Sequence, residues 1–189
     1  MAFLDYQRQT LAWKCEGLAE EQLQEKAVPP SGLSLLGLVR HAAEVERSWF
    51  QVAWSGERTG PHWPGMVNGT YAEFDATHAS AEEAFEVWQA ACARSRSIVD
   101  TEPSLDATAG FEGEVFSLRY VLLHMIEEYA RHNGHAYLLR ERIDGTTGSS
   151  RGASVAIGQA RDVAGPFGAV ESASGSGTGA FDEFVPEFL

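Results

Sequence analysis

One stretch of the chain carries histidine and glutamate side chains at helical spacing. His124, Glu128 and His132 stand four residues apart, and His135 follows three residues later. In an α-helix, residues four apart lie on one face, separated by about 6 Å along the axis. Imidazole and carboxylate groups are costly to bury without partners, and a cation that they coordinate together removes this penalty. The spacing therefore makes Glu128 and His132 candidate ligands of one metal ion.

A third ligand has to come from another helix. His41, in the run LVRHAAEVE, lies among apolar residues that recur at spacings of three and four, where a solvated histidine is unexpected. Metal sites in helical bundles are built from polar side chains that project inward from facing helices. Two imidazoles and one carboxylate with an open position suit zinc best, and nickel and iron(II) are further candidates. The pattern is compatible with a divalent metal site formed by His41, Glu128 and His132, which is one of the interpretations that the residues allow.

The same residues also have interpretations that need no metal. A glutamate and a histidine four apart are common on solvated helix faces, and His41 could be a hydrogen-bonded histidine of the core. His124 could be hydrogen-bonded to a metal ligand, as ligating groups usually require, or be a partly buried core residue. On the helix of His41, Glu44 could orient the histidine or form a surface ion pair with Arg40 or Arg47. Spacing alone leaves these alternatives open.

Four helices account for the periodic parts of the chain. Their predicted ranges are about 2–16, 34–54, 80–99 and 117–144. The last three each have a serine at the start that can cap the helix: Ser34, Ser80 and Ser117. Asp144–Gly145 is a typical stop signal for the last helix. Between the helices, residues 57–78 contain prolines and glycines and predict a long loop, and the residues around Pro103 and Gly110 predict turns.

Four helices without alternating strand patterns predict an all-α fold, a four-helix bundle. We expect this domain to span residues 1–145. Residues 146–189 change abruptly to glycine, serine, alanine and threonine. A segment of that composition buries too little apolar surface to order itself, so a flexible C-terminal tail is predicted.

Composition limits the classes of partner. The chain has 27 acidic and 14 basic residues and a formal net charge of -13. Such a surface repels phosphate backbones and anionic lipid, so we expect neither nucleic acid nor a membrane as partner. No window approaches the roughly 20 apolar residues of a membrane span, and the start MAFLDYQRQT lacks the pattern of a signal peptide. With two cysteines, Cys15 and Cys92, the sequence predicts a soluble cytoplasmic protein with half-buried thiols.

Two segments resemble the signature blocks of the DinB-like superfamily and, more narrowly, of its DUF664 branch. They are LSLLGLVRHAAEVERSWF, around His41, and LRYVLLHMIEEYARHNGHAYLLRERIDG, which contains Glu128 and His132. In this superfamily the second helix of a DinB-type four-helix bundle supplies one metal ligand, and the last helix supplies two ligands four apart. The resemblance implies that His41, Glu128 and His132 are the ligands here. A glutamate then stands where many members have the first histidine of the pair.

Relatives in the superfamily suggest what the metal is for. They include the bacillithiol S-transferases and the N-terminal domain of mycothiol-dependent maleylpyruvate isomerase, which is similar to this chain in using His, Glu and His. The resemblance implies a metal-dependent enzyme that activates a low-molecular-weight thiol for S-transfer to an electrophilic small molecule. Mycothiol is the first candidate for this thiol. A thiolate or water at the metal would be the nucleophile. A metal-dependent hydrolase and a non-catalytic, stress-associated metal-binding bundle are the alternatives, and helix faces of such a bundle could form a homodimer.

Overall fold

The computed structural model describes residues 1–148 of the 189-residue chain. Its elements are the helices α1 (Ala2–Cys15), α2 (Glu20–Gln24), α3 (Leu35–Glu46), α4 (Ala81–Thr101) and α5 (Leu118–Asp144), and the short strands β1 (Met66–Val67), β2 (Thr70–Tyr71), β3 (Thr108–Phe111) and β4 (Glu114–Ser117). Most of the predicted flexible tail, residues 149–189, lies outside this part. Within residues 1–148, no helix is both long and apolar enough to cross a membrane.

The long helices pack as a bundle, so the predicted all-α fold is confirmed. α3 packs against α4, α1 packs against α5, and α3 also contacts α1 and α5. Fully buried side chains such as Leu11, Leu36, Phe50 and Met125 form the core. In helices of this length most of the stability comes from burying an apolar face. All 12 residues of α3 are buried, which makes it the central helix of the bundle.

The helix starts follow the capping signals in the sequence. The hydroxyls of Ser34, Ser80 and Ser117 each accept a hydrogen bond from the amide three residues on. These bonds satisfy amides that have no partner within the helix. At the other end of α5, Gly145 adopts the left-handed conformation with φ 75°, which ends the helix. The two helices that carry the candidate ligands therefore begin where the sequence predicts.

Two β-hairpins lie in segments that were predicted to be loops and turns. β1 and β2 pair across Asn68–Gly69, and β3 and β4 pair across Glu112–Gly113. The two turn residues have φ of 53° and 80° in the first hairpin and 52° and 90° in the second. Two consecutive positive φ values match the twist of the flanking strands. The long loop predicted over residues 57–78 is therefore wrong for its second half, which folds as a hairpin followed by a turn.

Two helical details also go beyond the prediction. α3 continues as a π-helical segment, Arg47–Trp54, in which the Ser55 amide bonds the Phe50 carbonyl five residues back. Because a π-helical turn holds more residues than an α-helical turn, the residues after it are rotated to a different face of the helix. In addition, the acidic segment after α1 forms the short helix α2, because Leu23 is buried against the core.

A buried polar network crosses the core. Arg8 on α1 forms two hydrogen bonds of 2.7 Å to Glu46 on α3, and their side chains are 3% and 0% exposed. Tyr129 on α5 donates to Glu46 at 2.8 Å and accepts from Trp88 on α4 at 2.8 Å. Burial alone would lower the pKa of Arg8, but Glu46 outweighs it and raises this pKa. One network thus joins all four long helices, and the sequence analysis did not identify it.

Candidate metal centre

α3 and α5 bring the three predicted ligands together. His41 lies in the middle of α3, and Glu128 and His132 lie one turn apart on α5. Glu128 Oε1 is 3.2 Å from His41 Nε2 and 2.9 Å from His132 Nε2. One ligand atom from each residue lies within 4.8 Å of the other two. The cluster therefore has the composition and the convergence that could hold a metal ion.

The separations of these atoms can be compared with those around a tetrahedral divalent cation. Bonds of about 2.1 Å to imidazole nitrogen and carboxylate oxygen put tetrahedral ligand atoms about 3.4 Å apart. Two of the three separations within the cluster, 2.9 and 3.2 Å, are close to that value, and the two histidine ligand atoms lie within 4.8 Å of each other. The side chains of His41 and Glu128 are 2% and 5% exposed, whereas that of His132 is 13% exposed. The cluster is therefore closed on the side of α3 and opens toward solvent at His132.

The clustered side chains change one another's protonation. Burial would raise the pKa of Glu128, but the hydrogen bonds with His132 and His41 outweigh it and hold this pKa well below its usual value. Burial would lower the pKa of His41, but Glu128 and Glu73 outweigh it and raise this pKa. Glu128 is therefore a carboxylate at neutral pH, the form that binds a cation.

Arg131 holds the outer oxygen of Glu128. Its Nη1 donates to Glu128 Oε2 at 3.0 Å, and its Nη2 donates to Glu127. A charge-assisted hydrogen bond of this kind fixes the rotation of a carboxylate. The guanidinium occupies the oxygen farther from the histidines, so Oε1 remains directed at the cluster.

His124, predicted as a candidate partner of a ligand, packs among aromatic rings. Its ring centroid lies 4.3 Å from that of Trp49 and 6.3 Å from that of Tyr120. Burial lowers the pKa of His124, so it is a neutral imidazole at neutral pH. The π-helical segment after α3 carries Trp49, and its contact with His124 joins this segment to α5 one turn before Glu128.

Glu44, the other candidate partner, is buried and binds the segment that follows α3. It accepts hydrogen bonds from Arg47 Nε at 2.8 Å and from the amides of His62 and Trp63. Of the two alternatives for Glu44, the pairing with Arg47 is present, but at 6% exposure the pair is buried and does not lie on the surface. The reason is that the loop folds back over α3, and its two amides replace water as donors. Glu44 thus ties the loop to α3, and the carboxylate beside His41 is a different one.

That carboxylate belongs to Glu73, which the sequence analysis missed. Glu73 lies in a 3-10 helical turn, Ala72–Phe74, directly after β2. Its Oε1 is 3.4 Å from His41 Nδ1, and the Phe74 ring stacks on the His41 ring with centroids 4.6 Å apart and planes inclined by 25°. Glu73 stands 32 residues after His41, so no helical spacing connects them. The signal in the sequence was weak: one acidic residue beside an aromatic residue in a predicted loop.

Comparison with known families decides what kind of protein carries this cluster. The sequence model of the mycothiol-S-transferase family matches residues 1–145, a range that holds all three clustered residues. The chain belongs to the mycothiol S-transferase family. This match also confirms the resemblance to the DinB-like superfamily. No curated protein and no solved structure matches the chain.

The two cysteines of this mycothiol S-transferase family member could in principle supply a reactive sulfur. Cys15 and Cys92 are not disulfide-bonded, and both are buried, more deeply than predicted. Burial raises the pKa of each thiol to about 12. The thiolate is the nucleophilic form of cysteine, so neither residue is reactive at neutral pH.

A small cleft adjoins the cluster of this mycothiol S-transferase family member. Leu11 of α1 and Leu38 and Val45 of α3 line its apolar side, and His132 lines its polar side. His135 lies farther along α5, with its Nδ1 3.4 Å from His132 Nδ1. The cleft has about 10 Å³ of free volume, which is room for a group the size of one water molecule.

Proposed function

We propose that this chain is a metal-dependent transferase that joins a low-molecular-weight thiol to an electrophilic small molecule. Mycothiol is the first candidate for the thiol. The observation that carries the proposal is the convergence of His41 Nε2, Glu128 Oε1 and His132 Nε2. Its occurrence in a member of the mycothiol S-transferase family supports the choice of reaction. Zinc is the expected metal because two imidazoles and one carboxylate suit it, with nickel and iron(II) as the other candidates.

Each residue has a defined task in this proposal. His41, Glu128 and His132 would hold a divalent cation, which lowers the pKa of a thiol and keeps it as the thiolate. Arg131 holds Glu128 so that Oε1 faces the two histidines. His132 lies on the more exposed side, from which the thiol and its acceptor would enter. The apolar residues of the cleft would exclude water from the reacting sulfur and so limit hydrolysis of the acceptor.

The proposed reaction balances without an oxidant or a reductant. The thiol proton passes to solvent, and the sulfur forms a bond to the electrophilic carbon of the acceptor. In a substitution, the leaving group departs with the bonding electron pair. In an addition to an activated double bond, the electron pair moves to the neighbouring carbon, which takes a proton from water.

Turnover by the full-length protein tests this proposal. Zinc-loaded and metal-free protein are incubated with mycothiol and a panel of electrophiles, for example a halonitrobenzene, a bromobimane and an epoxide, and the thioethers are measured by mass spectrometry. We expect thioether formation faster than the uncatalysed reaction, measured without protein, only when both zinc and mycothiol are present. The variant His132→Ala removes a ligand. Its turnover should therefore fall by more than the roughly 10-fold to 100-fold loss of activity that is typical when a residue that only supports a ligand is replaced.

His78→Ala is the matched control, because His78 is an exposed histidine outside the three-residue cluster. Its turnover should equal that of the unmodified protein. Equal turnover with and without metal would contradict the proposal, and so would the absence of thiol-dependent product across the whole panel. Consumption of the electrophile with zinc but without thiol would indicate a hydrolase instead.

A further inference from the structure

The turn Ala72–Phe74 contacts His41 on two sides of its ring. Glu73 reaches the Nδ1 edge, with its Oε1 3.4 Å away, and Phe74 covers one face. Glu73 is only 5% exposed, which is unusual for a carboxylate in a loop. Because burying a carboxylate is unfavourable without a partner, its position beside a buried imidazole calls for an explanation.

The position of this turn is set by α3 itself. A Cβ atom at Gly37 would lie 3.2 Å from the Phe74 carbonyl oxygen, so the glycine permits a close approach of the two backbones. One turn farther along α3, Arg40 Nη1 donates to the Asp75 carbonyl at 2.6 Å. The helix that carries His41 therefore fixes the C-terminal end of the turn through two contacts.

The two ring nitrogens of His41 meet different carboxylates. Nδ1 faces Glu73, and Nε2 faces Glu128 within the three-residue cluster. A neutral imidazole has one N–H and one lone pair, and the hydrogen bond made by one nitrogen decides which nitrogen can ligate. If Glu73 accepts the proton of Nδ1–H, the lone pair lies on Nε2, where the other two ligand atoms converge.

We propose that Glu73 is a positioning residue for the metal centre. Its carboxylate accepts the Nδ1–H hydrogen bond of His41 and so fixes the tautomer and the ring orientation in which Nε2 ligates a divalent cation. Phe74 holds the plane of the same ring. This inference rests on the proposed metal site. It assigns a role at that site to a loop that contributes none of the three ligands.

Zinc affinity of full-length variants tests the inference. Dissociation constants for zinc are measured by competition with a chromophoric chelator for Glu73→Ala, Glu73→Gln and the unmodified protein. Loss of a carboxylate that supports a ligating histidine typically weakens metal binding by about 10-fold to 100-fold, which we expect for Glu73→Ala. Glu73→Gln keeps an oxygen that can accept from Nδ1–H, so it should restore part of the affinity. Asp75→Asn is the matched control, since its side chain bonds Thr77, and it should bind zinc as the unmodified protein does.

Two further measurements separate positioning from folding. Melting of the metal-free proteins shows whether each variant is folded, and nitrogen-15 NMR of the histidine rings reports the tautomer of His41. In the metal-free proteins, at a pH high enough to deprotonate the His41 imidazolium, we expect the Nδ1–H form in the unmodified protein and a mixture of tautomers in Glu73→Ala. If Glu73→Ala binds zinc as tightly as the unmodified protein, or retains one tautomer, the inference is overturned while the metal site stands. If the unmodified protein binds none of zinc, nickel and iron(II), the proposed function fails as well.

Discussion

At the scale of single residues, buried carboxylates set this core apart. Glu46, Glu73 and Glu128 are 0%, 5% and 4% exposed. A buried charge without a partner is strongly destabilising. Glu46 is paired with Arg8, a permanent cation, whereas the other two both reach His41. Glu44, which is also buried, is paired with Arg47, so two buried carboxylates are matched by arginines and two converge on the candidate metal centre.

The Arg8–Glu46 pair gives a stability prediction. Arg8→Met leaves Glu46 buried and uncompensated, so we expect the free energy of unfolding to fall by about 3–5 kcal/mol, measured by urea denaturation followed by circular dichroism. Arg96 forms an ion pair with Asp5 on the surface, where the two side chains are 44% and 38% exposed. Arg96→Met should therefore change the free energy of unfolding by less than about 1 kcal/mol. Equal losses in the two variants would contradict the difference in burial on which this prediction rests.

At the scale of elements, the close approach of α3 to the turn Ala72–Phe74 supports the site. Gly37→Ala would place a Cβ 3.2 Å from both the Phe74 carbonyl and the Ser34 hydroxyl. Alanine normally stabilises a helix interior by about 1 kcal/mol over glycine. At position 37 we expect the crowding to cancel this gain and zinc affinity to fall, because the turn that contacts His41 is displaced.

Gly134 on α5 provides the comparison, since nothing lies within 4 Å of a Cβ built there. Gly134→Ala should raise the free energy of unfolding by about 0.5–1 kcal/mol and leave zinc affinity unchanged. Both variants are measured by urea denaturation and by chelator competition. A gain in stability and an unchanged zinc affinity at position 37 would show that the approach of the turn has no bearing on the site.

The helices were predictable because their signals are local. Ser34, Ser80 and Ser117 cap helices where the sequence places them, and Gly145 ends α5 as expected. Spacing and the family resemblance together also named the three clustered residues, since two of them lie one turn apart on one helix. The convergence of His41 with that pair depends on the packing of α3 against α5, which spacing alone could not establish.

The contacts made by loops were not predictable in the same way. Asn68–Gly69 is a known hairpin signal, but strands of two residues are too short to show alternation. The partners of Glu44 and Glu73 depend on how the loop after α3 folds back, and no periodic pattern records that path. The π-helical segment was missed for a related reason, because its residues have an ordinary helical pattern.

At the scale of the whole molecule, the family match covers residues 1–145 and α5 ends at Asp144. The domain boundary at 145 and the flexible tail 146–189 remain predictions. The net charge of -13 still predicts that nucleic acid and anionic lipid are not partners. A cytoplasmic location and a homodimer likewise remain predictions. Membership of the mycothiol S-transferase family implies a thiol and a small-molecule substrate. The proposed reaction between them depends on whether the cluster holds a metal.

Metal content is the most direct test of the central claim. The full-length protein is purified without a histidine tag and without chelators, and its metals are quantified by mass spectrometry beside His41→Ala, His132→Ala and the exposed-site control His62→Ala. We predict about one zinc, nickel or iron ion per chain in the unmodified protein and in the control, and a loss of this metal in both ligand variants. A folded, unmodified protein that holds no metal after reloading with each of these ions would contradict the account.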